Sequence, residues 1–132
     1  MRHTLLMLGT LLMLLACGGA KNANAPMDKA NTAPSSDYGY SEKNPIKVGG
    51  VNDGPRNERA YLNRLTGPNG ESLTYERLGS CCMFNTRNSS FGSGMLDRYE
   101  ITIEGDSIKK ILYLNMYDKG KLYAPKGFLL KD

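Results

Sequence analysis

The chain of 132 residues has no tryptophan and a single histidine, His3. It has three cysteines and one long apolar run, which lies at its start. Arg2 and His3 form a short basic start, residues 4–16 are almost wholly apolar, and the small Ala16 precedes Cys17. That order describes a secretory signal peptide over residues 1–16. The run is shorter than the roughly 20 apolar residues that a membrane span requires, and Gly18-Gly19 follows without a stop-transfer pattern. Removal of residues 1–16 takes away the only histidine. The remaining chain then has no Ser-His-Asp or Cys-His catalysis, no HExxH zinc site and no imidazole metal ligand. We expect no metal and no cofactor, and the sequence points to no catalytic residue.

A one-signed charge excess is also lacking. Without Arg2, sixteen Lys and Arg face thirteen Asp and Glu, a net charge of +3. Nucleic-acid binders cluster basic residues on one face, often within a recognisable motif, and none is present here. Six lysines against two aspartates over residues 107–132 make the C-terminal part locally basic. Such lysines are commonly solvated turn and edge residues, though they also suit an anionic surface. No internal repeat is visible, and the length sets a ceiling of one small domain.

Leu14-Leu15-Ala16-Cys17 resembles the lipobox of bacterial lipoproteins, with Cys17 as the first mature residue. The resemblance implies lipidation of Cys17: a diacylglycerol thioether on its sulfur and acylation of its amino group. Two or more acyl chains give stable anchoring, whereas one is marginal. It implies a protein of the cell envelope, held to a membrane through its lipid. Gly18 is not the aspartate that retains many such proteins in an inner membrane, so the outer membrane is the expected address.

Residues 17–43 read as the lipidated N-terminus and a disordered tether, because Ala, Asn, Ser, Pro and Lys dominate and little there can bury surface. A flexible chain of that length spans on the order of 30 Å. Tyr38 and Tyr40 are its only aromatics, either docked on the domain or exposed.

Residues 44–132 read as a single α+β domain, one helix packed on an antiparallel sheet of about four or five strands. Ile46-Lys47-Val48 is a short strand candidate. Asp53-Gly54-Pro55 opens a helix carrying Tyr61, Leu62 and Leu65, and Gly67 suits a left-handed cap at its end. Residues 72–84 form a long strand candidate with Gly79 as a bulge, and 85–94 a polar loop. Tyr99, Ile101 and Ile103 alternate with Arg98, Glu100 and Thr102 as core-facing and water-facing residues. Residues 111–117 are more continuously apolar, as in a central strand, and Phe128-Leu129-Leu130 closes the sheet or covers its edge. The predicted core draws on Ile46, Val48, Leu62, Leu65, Leu73, Tyr75, Ile101, Ile103, Leu112, Leu114 and Met116.

The segments Asn44-Pro45-Ile46-Lys47-Val48-Gly49-Gly50, Gly79-Ser80-Cys81-Cys82, Tyr113-Leu114-Asn115-Met116-Tyr117-Asp118 and Ala124-Pro125-Lys126-Gly127-Phe128 resemble a family of small lipoproteins of Bacteroidota-type bacteria. Members often bear the label 2-dehydro-3-deoxyphosphooctonate aldolase. Sugar-phosphate enzymes of that type are TIM barrels of at least about 200 residues, which this domain is too short to form.

Cys81-Cys82 is the sharpest local feature. In an oxidising compartment thiols tend to pair. With Cys17 lipidated, the two pair with each other, pair between chains, or stay reduced. On a regular strand they would point to opposite faces, and their Cα spacing of about 3.8 Å lies below the usual disulfide range. Three readings stand: a structural pair with one thiol buried, a vicinal disulfide, and thiol chemistry. Asn115, Tyr117 and Asp118, at the end of a strand, are candidate ligand contacts. Turn chemistry accounts equally for Asp118, and a buried backbone partner for Asn115. The expected function is a lipid-anchored envelope protein binding another envelope protein or a glycan. The alternative is a thiol-dependent enzyme or redox protein using Cys81 and Cys82.

Overall fold

Two long strands dominate the fold, and their lengths follow from side-chain alternation. A computed structural model describes residues 31–50 and 53–132. Strand β3 (Leu73–Asn85) pairs antiparallel with β4 (Ser93–Ile103). In β4 every second residue from Asp97 to Ile103 is buried, so one face meets the core. β5 (Lys110–Asn115) pairs antiparallel with β4, and its Leu112 and Leu114 are fully buried.

The fourth strand departs from the expected antiparallel sheet. β1 (Ile46–Lys47) lies parallel to β5, giving a mixed sheet of order β1-β5-β4-β3. Two residues are too few for alternation to reveal a strand's direction. The fold class is α+β as expected.

Helix α1 (Gly54–Leu62) begins where the sequence asks it to. The Asp53 side chain accepts a hydrogen bond from the Arg56 N–H at 3.1 Å, and Pro55 sits in the first turn. Glu58, Tyr61 and Leu62 share the buried face through their i, i+3 and i+4 spacing. The helix stops at Leu62 rather than at Gly67. Leu65 and Thr66 instead form β2 (Leu65–Thr66), which pairs antiparallel with β6 (Leu129–Leu130) in a separate two-stranded sheet. Gly67 is no left-handed cap: its φ is not positive. It is needed for close packing, because a Cβ there would meet Ile103 Cγ2 at 2.7 Å.

The tether expected over residues 17–43 is corrected from residue 31 onward. Tyr38 is buried, packs edge-on against Tyr123 with ring centroids 5.7 Å apart, and its hydroxyl accepts the Tyr123 N–H. Tyr40 donates its hydroxyl proton to the Lys126 carbonyl at 2.6 Å. Thr32 bridges to Ala124, and the Tyr113 N–H bonds the Gly39 carbonyl at 2.7 Å. Two tyrosines and a few backbone bonds dock a segment whose average composition suggested disorder. The expected signal peptide over residues 1–16, Cys17 and residues 18–30 lie outside the described residues.

The core joins α1 to the inner face of the sheet through Tyr61, Leu62, Ile101, Ile103, Leu112 and Leu114. Leu73 and Tyr75 are only half-buried at its margin, and Met116 is half-buried outside it.

Candidate functional site

The chemistry-bearing residues gather on β3 and its neighbours. The β3–β4 register shifts twice, between Arg77 and Gly79 and between Cys81 and Met83. Gly79 has φ +121° and occupies the first bulge, as its sequence position suggested. Cys82 has φ +53° and is the one non-glycine residue with positive φ among the described residues. This second bulge overturns the expectation that adjacent cysteines point apart. Strict alternation fails at a bulge, and Cys81 and Cys82 are joined in a disulfide with Cα atoms 3.8 Å apart. Both residues are half-buried.

Beside the bond lies an acidic cluster. Asp97 is buried and receives two hydrogen bonds from Arg77, at 2.7 and 2.9 Å, and one from Ser80 at 2.7 Å. Burial pulls its carboxyl upward, but the Arg77 and Ser80 contacts outweigh this and hold it below the usual carboxylate range. Glu58 of α1 is 0% exposed. One of its oxygens accepts the Tyr99 hydroxyl at 2.9 Å, and the other finds no donor. Burial, reinforced by the Asp97 charge, pushes Glu58 up to about 7. Asp97 is among the charges that act on it. Glu58 is therefore the carboxyl that favours its neutral form, and Asp97 the one that favours its charged form. Burial and the Glu58 contact also push the Tyr99 hydroxyl up, keeping it a donor. The cluster joins α1 to the stretch of β3 between the two bulges.

The sequence reading passed over this cluster, although its signals are present. Glu58 lies three and four residues before Tyr61 and Leu62, on the apolar helix face. Asp97 continues the alternation of Tyr99, Ile101 and Ile103 onto the core side.

Asn115 and Asp118 come together, as their sequence positions allow, in one hydrogen-bonded group. The Asn115 side-chain oxygen accepts the N–H groups of Tyr117 and Asp118, each at 2.9 Å. Asp118 receives hydrogen bonds from Asn115, Thr86 and Asn88. Burial works upward on the Asp118 carboxyl, but these donors prevail and hold it low. The group ties the β3–β4 loop to the end of β5. Tyr117 packs edge-on against Phe84, ring centroids 5.9 Å apart, and is half-buried.

The far end of the β3–β4 hairpin is apolar and exposed. Met83 and Met95 are cross-strand partners, 76% and 45% exposed, and Phe91 in the connecting loop is 91% exposed. Leu78, at the first bulge, is 44% exposed. β3 is an edge strand, so its outer backbone positions carry no sheet partner.

A groove of about 570 Å³ lies elsewhere, between residues 31–36 and the chain from Ala124 to Leu130. Its walls include Ala33, Pro34, Pro125 and Phe128, and it gathers no cluster of convergent charged groups. Among the described residues no group of three His, Cys, Asp or Glu is placed to hold a metal ion. No helix among them is long and apolar enough to cross a membrane. Comparison with family models, with curated proteins and with solved structures finds no match to this chain.

Proposed function

We propose that the protein is a lipid-anchored envelope protein whose domain binds an extended segment of a protein partner at the loop end of the β3–β4 hairpin. The observation that carries this reading is the exposed Met83–Met95 pair, with Met83 on the edge strand β3 and Phe91 exposed in the loop that follows it. Clustered exposed apolar side chains mark interaction surfaces, and methionine adapts to irregular partner surfaces. An unpaired strand edge offers backbone hydrogen bonds to an extended chain, while pockets between side chains supply selectivity. The Leu14-Leu15-Ala16-Cys17 motif supports the anchor.

A photo-crosslinking residue at position 91 of the full chain, activated in intact cells, tests the surface. The expected result is a discrete protein adduct that M83S/M95S abolishes. An adduct pattern identical to that from position 109, in the turn beyond the opposite end of β4, would sink the reading. A glycan adduct in place of a protein would favour the glycan alternative. For the anchor, Cys17→Ser is expected to abolish palmitate labelling and to release the protein from the membrane fraction.

A further inference from the structure

The Cys81–Cys82 bond does not fit the usual purpose of a structural disulfide. Cross-links stabilise chiefly by closing loops in the unfolded chain, and the gain grows with loop length. A bond between neighbours encloses no intervening residue. It therefore removes little unfolded-state freedom, while Cys82 sits in the left-handed region that side chains other than glycine rarely adopt. The bond is also not sealed in the core, since both cysteines are half-buried. Disulfides that are strained or exposed are the labile ones.

The surroundings are built to survive opening of the bond. On one side, Arg77 and Ser80 are clamped to buried Asp97. On the other, Met83, Phe84 and Asn85 resume pairing with β4. Pairing with β4 is thus held on both sides of the bond by contacts that do not involve the sulfurs. Met83 directly follows Cys82 on the edge strand β3, so a segment docked along this edge passes the bond within one residue of the methionine pair.

We propose that Cys81–Cys82 is a dithiol–disulfide couple that oxidises a pair of thiols in the protein segment docked at this hairpin. The inference rests on the binding reading above. In the first step a thiolate of the partner attacks one sulfur of the pair. A mixed disulfide forms, the Cys81–Cys82 bond breaks, and the other cysteine leaves as a thiolate that takes up a proton. In the second step the partner's other thiolate attacks the partner sulfur of the mixed disulfide. The partner's own disulfide forms, and the second cysteine is released and protonated. Two electrons and two protons pass from the partner's thiols to Cys81 and Cys82. A single turnover needs no further oxidant. Return to the starting state uses a second disulfide, supplied by a small molecule or another protein. The site needs no histidine base, because the attacking thiolate belongs to the partner.

The test uses the full chain, oxidised, and a reduced synthetic peptide with two cysteines separated by two residues and flanked by leucines. Samples are acid-quenched, alkylated and weighed by mass spectrometry, with reduced glutathione as the parallel substrate. The expected result is equimolar appearance of peptide disulfide and of free Cys81 and Cys82 thiols. In M83S/M95S the ratio of peptide rate to glutathione rate is expected to fall about tenfold, the scale of losing an interface anchor. C81S/C82S is expected to bind the peptide without oxidising it. A Cys81–Cys82 bond that stays intact in excess peptide and glutathione would overturn the redox inference, even with peptide binding retained. An unchanged rate ratio in M83S/M95S would overturn the docking reading and this inference with it, while leaving the bond reducible.

Discussion

At the scale of single residues, buried polar groups carry the sharpest consequences. Glu58 has no exposure and one oxygen without a donor, so its neutral form is the one the fold prefers. Its folded pKa of about 7 lies above the ordinary 4.5. Between those values the folded state binds the extra proton, so this contribution is complete below about pH 4.5 and is lost as pH rises through about 7. The loss is on the order of 3 kcal/mol, at about 1.4 kcal/mol per pKa unit. Urea unfolding across pH 5 to 8 is expected to show falling stability for the parent chain. Glu58→Gln, which keeps an acceptor for Tyr99 and does not titrate, is expected to flatten that slope. An equal slope in both proteins would refute the assignment. The groups facing Glu58 are Tyr99, Asp97 and Arg77. Asp97 and Asp118 act in the opposite sense, adding stability above the ordinary carboxylate pKa that is lost on acidification.

Asn115 makes a second residue-scale case. It satisfies two backbone N–H groups and donates to Asp118 while almost fully buried. Asn115→Leu strands those groups and should cost about 2 kcal/mol, within the range for buried donors left unpaired. Denaturation midpoints at pH 7 check this, and a change within about 0.5 kcal/mol would indicate an ordinary surface site.

At the scale of elements, the long strand β3 is shaped by its two irregularities. Gly79 opens one bulge and Cys82 the other, and between them Ser80 and Cys81 keep register with Asp97 and Leu96. Bulges also blunt an edge strand against uncontrolled pairing. Because the vicinal bond closes no loop, C81S/C82S should shift stability by less than about 1 kcal/mol, far from the 2–5 kcal/mol typical of lost structural disulfides. A larger loss in calorimetry would restore a structural role for the bond. The turn after β2 gives a contrasting case. Gly67→Ala would push a Cβ into Ile103 and the Glu71 side chain. The expected cost is about 1–3 kcal/mol, read from thermal unfolding, as for overpacking elsewhere.

At the scale of the whole molecule, the domain is completed by the segment before residue 44. Tyr38 fills the core beside Tyr123, and Tyr40 and Gly39 hold the chain against Lys126 and Tyr113. Tyr38→Ala should cost about 3–5 kcal/mol, as for other large aromatic truncations in cores. A chain beginning at residue 44 should be much less stable than one beginning at residue 31. Equal unfolding midpoints for these two chains would show that the segment is a dispensable tether after all.

Much of this was legible in the residues themselves. Alternation in Tyr99, Ile101 and Ile103, the Asp53-Gly54-Pro55 helix start and the Gly79 bulge each follow from local chemistry, and each is found in the fold. The composition of residues 31–43 misled because burial depends on where two tyrosines land, not on their average hydropathy. The parallel direction of β1 and the β2–β6 pairing connect residues far apart in sequence, which no local pattern encodes. The candidate site divides in the same way. Local periodicity already placed Glu58 on the apolar face of its helix and Asp97 on the inner face of its strand. Only the packing of α1 on the sheet brought the two carboxyls together. For Cys81 and Cys82 the residue identities were there to read, and strict alternation predicted opposite directions. The bulge at Cys82 reversed that, because its positive φ arises from how β3 pairs with β4, a condition that exists only once both strands are in place.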